Sequence, residues 1–269
     1  MNPEPTSYYI LCEGYFDRAF WLGWLEQNEW EEDSKDHPLA KDAPTGSYVQ
    51  RKDKRICVIT PCRGNKKTKV AMNSRLRHVR EMVETKRANP DYSPPPQPLF
   101  KIIWNVDDDS KTPNTSAESR TQDSVVAILR QFEIDNKIEP TSVTGNSPYL
   151  FLDNWCEVQI VMWRVAEDTQ REGAPLQQTL ERLVCTAISA VYPQRAKNVI
   201  DWLDSRDTPP DTNPKEYAWS YMAGWYAERH CDAFYKTIWQ DPKIKAELCG
   251  LLQAGGSWGI FEELAAIEP

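Results

Sequence analysis

The sequence predicts an α/β fold, a mainly parallel sheet flanked by helices in a layer of about 166 residues, followed by a C-terminal helical subdomain. Three observations predict it. Short runs rich in β-branched and aromatic residues alternate with helical periodicity through the first part of the chain. Those runs end in turns built from Gly, Pro, Asp or Asn. From about Pro175 onward apolar residues recur at helical spacing only. Strands that alternate with helices are joined by crossovers, which favours parallel pairing.

Ser7 to Cys12, SYYILC, is the first expected strand; it ends at Glu13-Gly14, and Asp17 to Gln27 continues as an apolar and aromatic helix. Residues 28–54 are polar and charged, with Pro38, Pro44 and Gly46, and are expected to form a surface insertion outside the core. Arg55 to Pro61, RICVITP, is a second strand, and the turn Arg63-Gly64-Asn65-Lys66 leads into a helix reaching about Ala88. The prolines of NPDYSPPPQP, residues 89–98, lack amide donors and impose a loop. Leu99 to Val106 is a third strand and runs directly into Asp107, Asp108 and Asp109.

After a polar stretch, Asp123 to Phe132 carries apolar positions at Val125, Val126, Ile128, Leu129 and Phe132 that suit one helical face. Tyr149 to Leu152 is the fourth expected strand, with a helix from Asn154 to about Ala166 that carries Glu157 near its start. The remaining pieces are LQQTLERLVCTAISAVY, KNVIDWLDS and a Trp- and Tyr-rich stretch over 217–239, two of them separated by the loop TPPDTNP. The expected division is 1–166 for the α/β domain and 167–269 for the helical subdomain. Trp219, Tyr221, Trp225, Tyr226, Phe234, Tyr235 and Trp239 are expected to be core rather than base-stacking platforms.

A chain of 269 residues with 40% hydrophobic content can bury a sizeable core. Its formal charge of −8 argues against nucleic-acid binding over the whole surface, while leaving room for a local basic patch. The seven cysteines form no CxxC pair and only three histidines are present, so a zinc cluster lacks ligands and the thiols are expected to be reduced. His37, His78 and His230 lack a Cys/Asp constellation that would make them catalytic. No basic leader with an apolar run opens the chain, and no apolar stretch reaches the ~18 residues of a membrane span. A cytoplasmic protein without a membrane partner is the expectation.

Carboxylates gathered at a strand end repel one another and lose hydration unless a cation neutralises them, and a divalent metal is the simplest neutraliser. Asp107 and Asp109 stand two residues apart, so an extended backbone projects both to one side and Asp108 to the other. The alternative is a solvated turn or helix start. The strand followed by Glu13-Gly14 and then Asp17, together with FKIIWNVDDDS, resembles the two motifs of the Toprim family: strand and Glu-Gly, then strand and Asp-x-Asp. The resemblance covers about residues 7–165 and is nearest to small stand-alone Toprim proteins related to the overcoming-lysogenisation-type nucleases.

That resemblance implies a Mg²⁺-dependent nuclease (Mn²⁺ serving equally) that hydrolyses phosphodiesters of DNA or RNA, with a role in anti-phage defence. By position, Glu13 becomes the general base or acid and a metal ligand, Asp107 and Asp109 hold the metal, and Asp17 completes a second metal site, although an acid in a first helical turn is equally ordinary. Lys215 answers to the late lysine that some Toprim-like nucleases use against transition-state charge; it also reads as a plain surface lysine. Glu157 either approaches the metal or complements a helix dipole. The resemblance further implies an ATPase partner subunit for any ATP-dependent system, and a homo-oligomer is left open.

Residues 63–87 carry Arg63, Lys66, Lys67, Lys69, Arg75, Arg77, Arg80, Lys86 and Arg87 against Glu81 and Glu84 alone. Arg63, Lys66, Lys67 and Lys69 are the expected contacts to nucleic acid, the alternative being a solvated charged helix. The turn lacks the second glycine and Lys-Ser/Thr pair of a Walker A loop. Two other functions fit parts of the pattern. A degenerate Toprim module would bind nucleic acid or an ATPase without cutting, and a DxD glycosyltransferase would use Asp107 and Asp109 on Mn²⁺ but leave Glu13-Gly14 unexplained; a dehalogenase-like phosphatase has the same gap and expects its acid near the N-terminus.

Overall fold

The computed structural model describes residues 5–34, 36–40, 43–108, 115–138, 147–166, 169, 171–206, 213–223 and 230–266. Among them lie seven strands: β1 (Ser7–Cys12), β2 (Glu31–Glu32), β3 (Tyr48–Lys52), β4 (Arg55–Pro61), β5 (Phe100–Asp107), β6 (Tyr149–Phe151) and β7 (Cys156–Trp163). They form one sheet in the order β2-β3-β4-β1-β5-β7-β6. β1 pairs in parallel with β4 (Ser7↔Ile56) and with β5 (Ser7↔Phe100). Antiparallel strands extend the sheet at both edges, so the sheet is mixed around a parallel centre.

Every residue of β1 and β4 is buried, which explains why both read as unbroken apolar runs rather than as an alternation. The chain divides into two compact units that interleave in sequence. The sheet unit comprises Met1–Gly14, Trp30–Val106 and Glu118–Val161; the helical unit comprises Tyr15–Glu29, Asp107–Ala117 and Met162–Pro269. The sheet unit also contains α2 (Asn65–Arg87) and most of α3 (Thr115–Asn136), a helix longer than the Asp123–Phe132 core that its periodicity marks.

Two sequence expectations are corrected here. Residues 28–54 are not an insertion outside the core: β3 pairs antiparallel with β4 and β2 with β3, so the segment widens the sheet. Trp30 is buried beside Tyr8, ring centroids 6.2 Å apart, with the Arg55 guanidinium 5.2 Å from a Trp30 ring centroid. Val49 and Gln50 are buried too, and Ser47 Oγ lies 3.1 Å from Thr60 Oγ1. Polar inner-face residues such as Gln50 and Lys52 hide the strand from a hydrophobic-periodicity reading.

The second correction concerns Asn154 to Ala166, which does not form a helix. Residues Leu152, Asp153 and Asn154 take left-handed φ values of 53°, 51° and 69°, closing a hairpin from β6 into β7. The β-branched content of CEVQIVMW suits the pleat, and Glu157 lies on β7 with its Oε1 3.5 Å from Lys101 Nζ rather than at a helix start.

In the helical unit, α1 (Tyr15–Gln27) accompanies α4 (Leu180–Val191), α5 (Pro193–Asp204), α6 (Pro214–Tyr221), α7 (Cys231–Gln240), α8 (Pro242–Ala254) and α9 (Trp258–Ala265). Its centre is aromatic: the Phe20 ring lies 5.3 Å from Trp163, 5.8 Å from Tyr235 and 4.8 Å from Trp239, each between centroids. Gly23 lets α1 approach α7, because a Cβ there would stand 2.7 Å from Trp239 Cδ1 and 2.9 Å from the Tyr235 carbonyl oxygen. Tyr221, Phe234, Tyr235 and Trp239 are buried, whereas Trp219 is half exposed; Trp225 and Tyr226 lie outside the described residues.

If residues 28–54 are integral to the sheet unit, truncating Trp30 creates a core cavity. Trp30→Ala is expected to lower unfolding free energy by about 3–5 kcal/mol, read from urea denaturation; a loss within error of zero would show that the segment contributes no core.

Candidate functional site

The chain leaves β1 for β4 on one side and returns from β4, through α2, to β5 on the other side of β1. The direction of travel therefore reverses between β1 and β5, and in open α/β sheets ligands bind beyond the carboxyl ends of the strands at such a reversal. Glu13 follows the last residue of β1, and Asp107 is the last residue of the adjacent parallel β5. Glu13 is half-buried, and its carbonyl accepts from Arg63 N–H at 2.7 Å, while the Cys12 carbonyl accepts from Cys62 N–H at 2.7 Å. Thus the turn after β1 and the turn after β4 are joined backbone to backbone.

The turn after β4 opens α2. Arg63 has φ 57° and Gly64 φ 107°, a reversal that glycine makes without steric cost. Arg63, Lys66, Lys67 and Lys69 are all exposed over this turn and the first two turns of α2. Not all of the basic island faces solvent: Arg75 is buried, donates to the Leu39 carbonyl at 3.0 Å and lies 5.3 Å from the Tyr9 ring centroid. Arg80 pairs with Glu84 at 2.7 Å. Burial pushes the nearby Cys62 thiol up to about 11, against opposing effects of a Thr68 hydrogen bond and the Arg75 charge, so this thiol stays neutral at physiological pH.

The acids of the helical unit are tied into structure. Asp107 Oδ1 accepts from Leu180 N–H at 3.0 Å, at the N-terminus of α4, beside the Thr179 cap. Asp108 is buried; its Oδ2 accepts from Arg164 Nε at 2.7 Å and its N–H donates to the Gln178 carbonyl at 3.0 Å. Gln178 in turn accepts from Val165 N–H at 2.7 Å and donates to the Val165 carbonyl at 3.1 Å. Asp17 is buried and its Oδ1 accepts from the Trp163 indole at 2.7 Å. Asp109 lies outside the described residues.

Glu181, in the first turn of α4, is a buried acid that the sequence reading did not single out. Its only local signal is an acid just after a Thr cap, which marks any helix start. Burial pushes the Tyr235 hydroxyl well above its usual range, and the Glu181 and Asp17 charges reinforce this; the hydroxyl has no hydrogen-bond partner among the described residues.

Lys215 is exposed in the first turn of α6 and makes no side-chain ion pair among the described residues. His230, expected to lack a constellation, stands in one: donor atoms of His230, Cys231 and Asp232 lie within 4.8 Å of one another at the start of α7. Asp232 Oδ1 and Oδ2, however, both accept from Arg18 Nη2, at 3.0 and 3.1 Å, a neighbouring positive charge that works against a second cation. No described helix is long and apolar enough to cross a membrane.

No family model and no curated protein matches this chain. Among solved structures, the crystal structure of a hypothetical protein from Pyrococcus horikoshii OT3 matches with a TM-score of 0.65 and 13% identity, over 97% of this chain and 100% of that one. At that identity the likeness shows a shared α/β fold.

Removing one partner of a buried ion pair strands the other charge. Arg164→Ala is expected to cost about 3–5 kcal/mol of stability, and the double variant Arg164→Met/Asp108→Leu to recover most of it. Chemical denaturation of the three proteins measures both, and an Arg164→Ala variant as stable as wild type would show that the pair contributes no stability.

Proposed function

We propose that the chain is a Toprim-like phosphodiester hydrolase acting on DNA or RNA with Mg²⁺ or Mn²⁺, and that Glu13, Asp107 and Asp109 are its working carboxylates. The observation that supports it most is the pairing of two parallel neighbours, β1, followed at once by Glu13, and β5, whose last residue is Asp107, where the chain reverses direction. The donors are hard carboxylate oxygens, which suit Mg²⁺ or Mn²⁺. A bound divalent ion would polarise the phosphodiester and lower the pKa of an attacking water.

The residues of the chain divide the remaining work. Asp107 and Asp109 would hold the cation, Glu13 would accept the proton of the attacking water, and Arg63, Lys66, Lys67 and Lys69 would bind backbone phosphates. A carboxylate has about four acceptor sites, so the bond from Leu180 N–H does not by itself exhaust Asp107. We leave Asp17 out of the metal set, since it is buried and already serves the Trp163 indole. Lys215 is left out as well, being exposed in the first turn of α6. No Walker A loop is present, so any ATP dependence would require a separate ATPase subunit.

One observation favours the non-cutting alternative: Asp107 and Asp108 both have structural duties, and such duties would persist in an inactive module. Metal-dependent cleavage of labelled DNA and RNA separates the two. Glu13→Gln is expected to lower the rate by about 100-fold or more while leaving the circular dichroism unchanged, and Lys215→Ala to leave the rate as it is. In calorimetric titration Mn²⁺ is expected to bind wild type and not Asp107→Asn/Asp109→Asn. Metal binding without cleavage would favour the inactive module; equal Mn²⁺ affinity in both proteins would end the metal assignment.

A further inference from the structure

The turn after β4 borders a cleft of about 450 Å³ that lies wholly within the sheet unit. Its volume is in the range of small-molecule sites and its lining has two chemistries. Pro44, Pro61 and Val70 contribute apolar surface, and Val70 is 68% exposed, a large aliphatic surface that the fold itself leaves uncovered. Arg63 and Lys67, both exposed, and the buried Arg75 contribute positive charge. The other polar groups of the lining are hydroxyls and a neutral thiol, and no carboxylate lines the cleft among the described residues.

Cations together with bare apolar surface select a ligand that is anionic at one end and apolar at the other. A simple anion would leave the Val70 and proline surface wet, and a wholly apolar ligand would shield the lining cations from water while offering them no anion. A nucleotide satisfies both. Arg63 also donates its backbone N–H to the Glu13 carbonyl, so the cleft adjoins the turn that carries the proposed acid–base residue.

We propose that this cleft binds one unstacked nucleotide, its phosphate held by Arg63 and Lys67 and its nucleoside against Pro44, Pro61 and Val70. The inference deepens the phosphodiesterase reading and rests on it for the identity of the larger substrate. A nucleotide stacked within a duplex cannot enter a cleft of this kind without leaving the helix, so the substrate class is single-stranded nucleic acid or a frayed end.

The test uses the full chain in EDTA, without metal, so that binding is read independently of cleavage. Calorimetry compares a nucleoside 5′-monophosphate, the matching nucleoside and inorganic phosphate. The monophosphate is expected to bind at least about tenfold more tightly than either fragment. Lys67→Glu and Val70→Asp, both at exposed positions, are each expected to weaken it by about tenfold or more with an unchanged thermal midpoint. A single-stranded oligonucleotide is expected to displace the monophosphate and its duplex to fail. Equal affinity for phosphate and monophosphate, unchanged affinity in both variants, displacement by duplex and single strand alike, or no binding at millimolar concentration would each overturn the inference. Binding that behaves as expected in a protein that never cleaves would count against the hydrolase alone.

Discussion

A strand buried along its whole length has to find partners for its backbone groups within the sheet, since water cannot supply them. β1 meets that demand by pairing in parallel on both sides, with β4 from Ser7↔Ile56 to Cys12↔Pro61 and with β5 from Ser7↔Phe100 to Leu11↔Trp104. A slip of one residue in either ladder would turn every side chain to the opposite face. The same registers bring the carboxyl ends of three strands to one edge. The β1–β4 ladder continues past the strands, through Cys12 to Cys62 and Glu13 to Arg63, so the position of an acidic turn beside a basic one follows from the pairing.

Charge inside this protein is spent in two ways. Asp108 with Arg164, Asp232 with Arg18, and Arg75 with the Leu39 carbonyl and the Tyr9 ring are buried or nearly so, and each is matched to a partner. Removing such a group strands its partner, which makes these pairs structural determinants. Glu13, Arg63, Lys66, Lys67 and Lys69 are half-buried or exposed at a strand end or helix start. Groups in that situation can reach a ligand. A run of like residues in sequence therefore contains members with opposite duties: Asp107 and Asp108 differ by one position, yet one caps a helix and the other is sealed under an arginine.

The acidic turn and the cleft also complement each other chemically. If the protein acts on nucleic acid as proposed, its overall charge of −8 would repel that substrate from most of the surface. On the proposed reading, concentrating cations at the β4–α2 turn would offer an attractive point of entry, and the apolar lining of the cleft would supply a preference for unpaired nucleotides that charge alone cannot provide.

Local chemistry determined what the sequence shows by itself: β1 and β4 coincide with their apolar runs, the loop at residues 89–98 follows from its prolines, and both acid-bearing strand ends stand out because apolar runs stop there. These features depend on propensity and period, which neighbouring residues carry. Tertiary structure decided the rest. β3 is a strand because β4 offers it a partner, although its own inward-facing residues include Gln50 and Lys52. β7 is a strand because three left-handed residues close a hairpin onto β6, where the periodicity of CEVQIVMW also admits a helix. The roles of Asp17 and Asp108 were likewise set by Trp163 and Arg164, partners more than 50 residues away in sequence. Burial and pairing between distant segments are properties of the assembled chain, and no local pattern encodes which carboxylate will find a partner inside it.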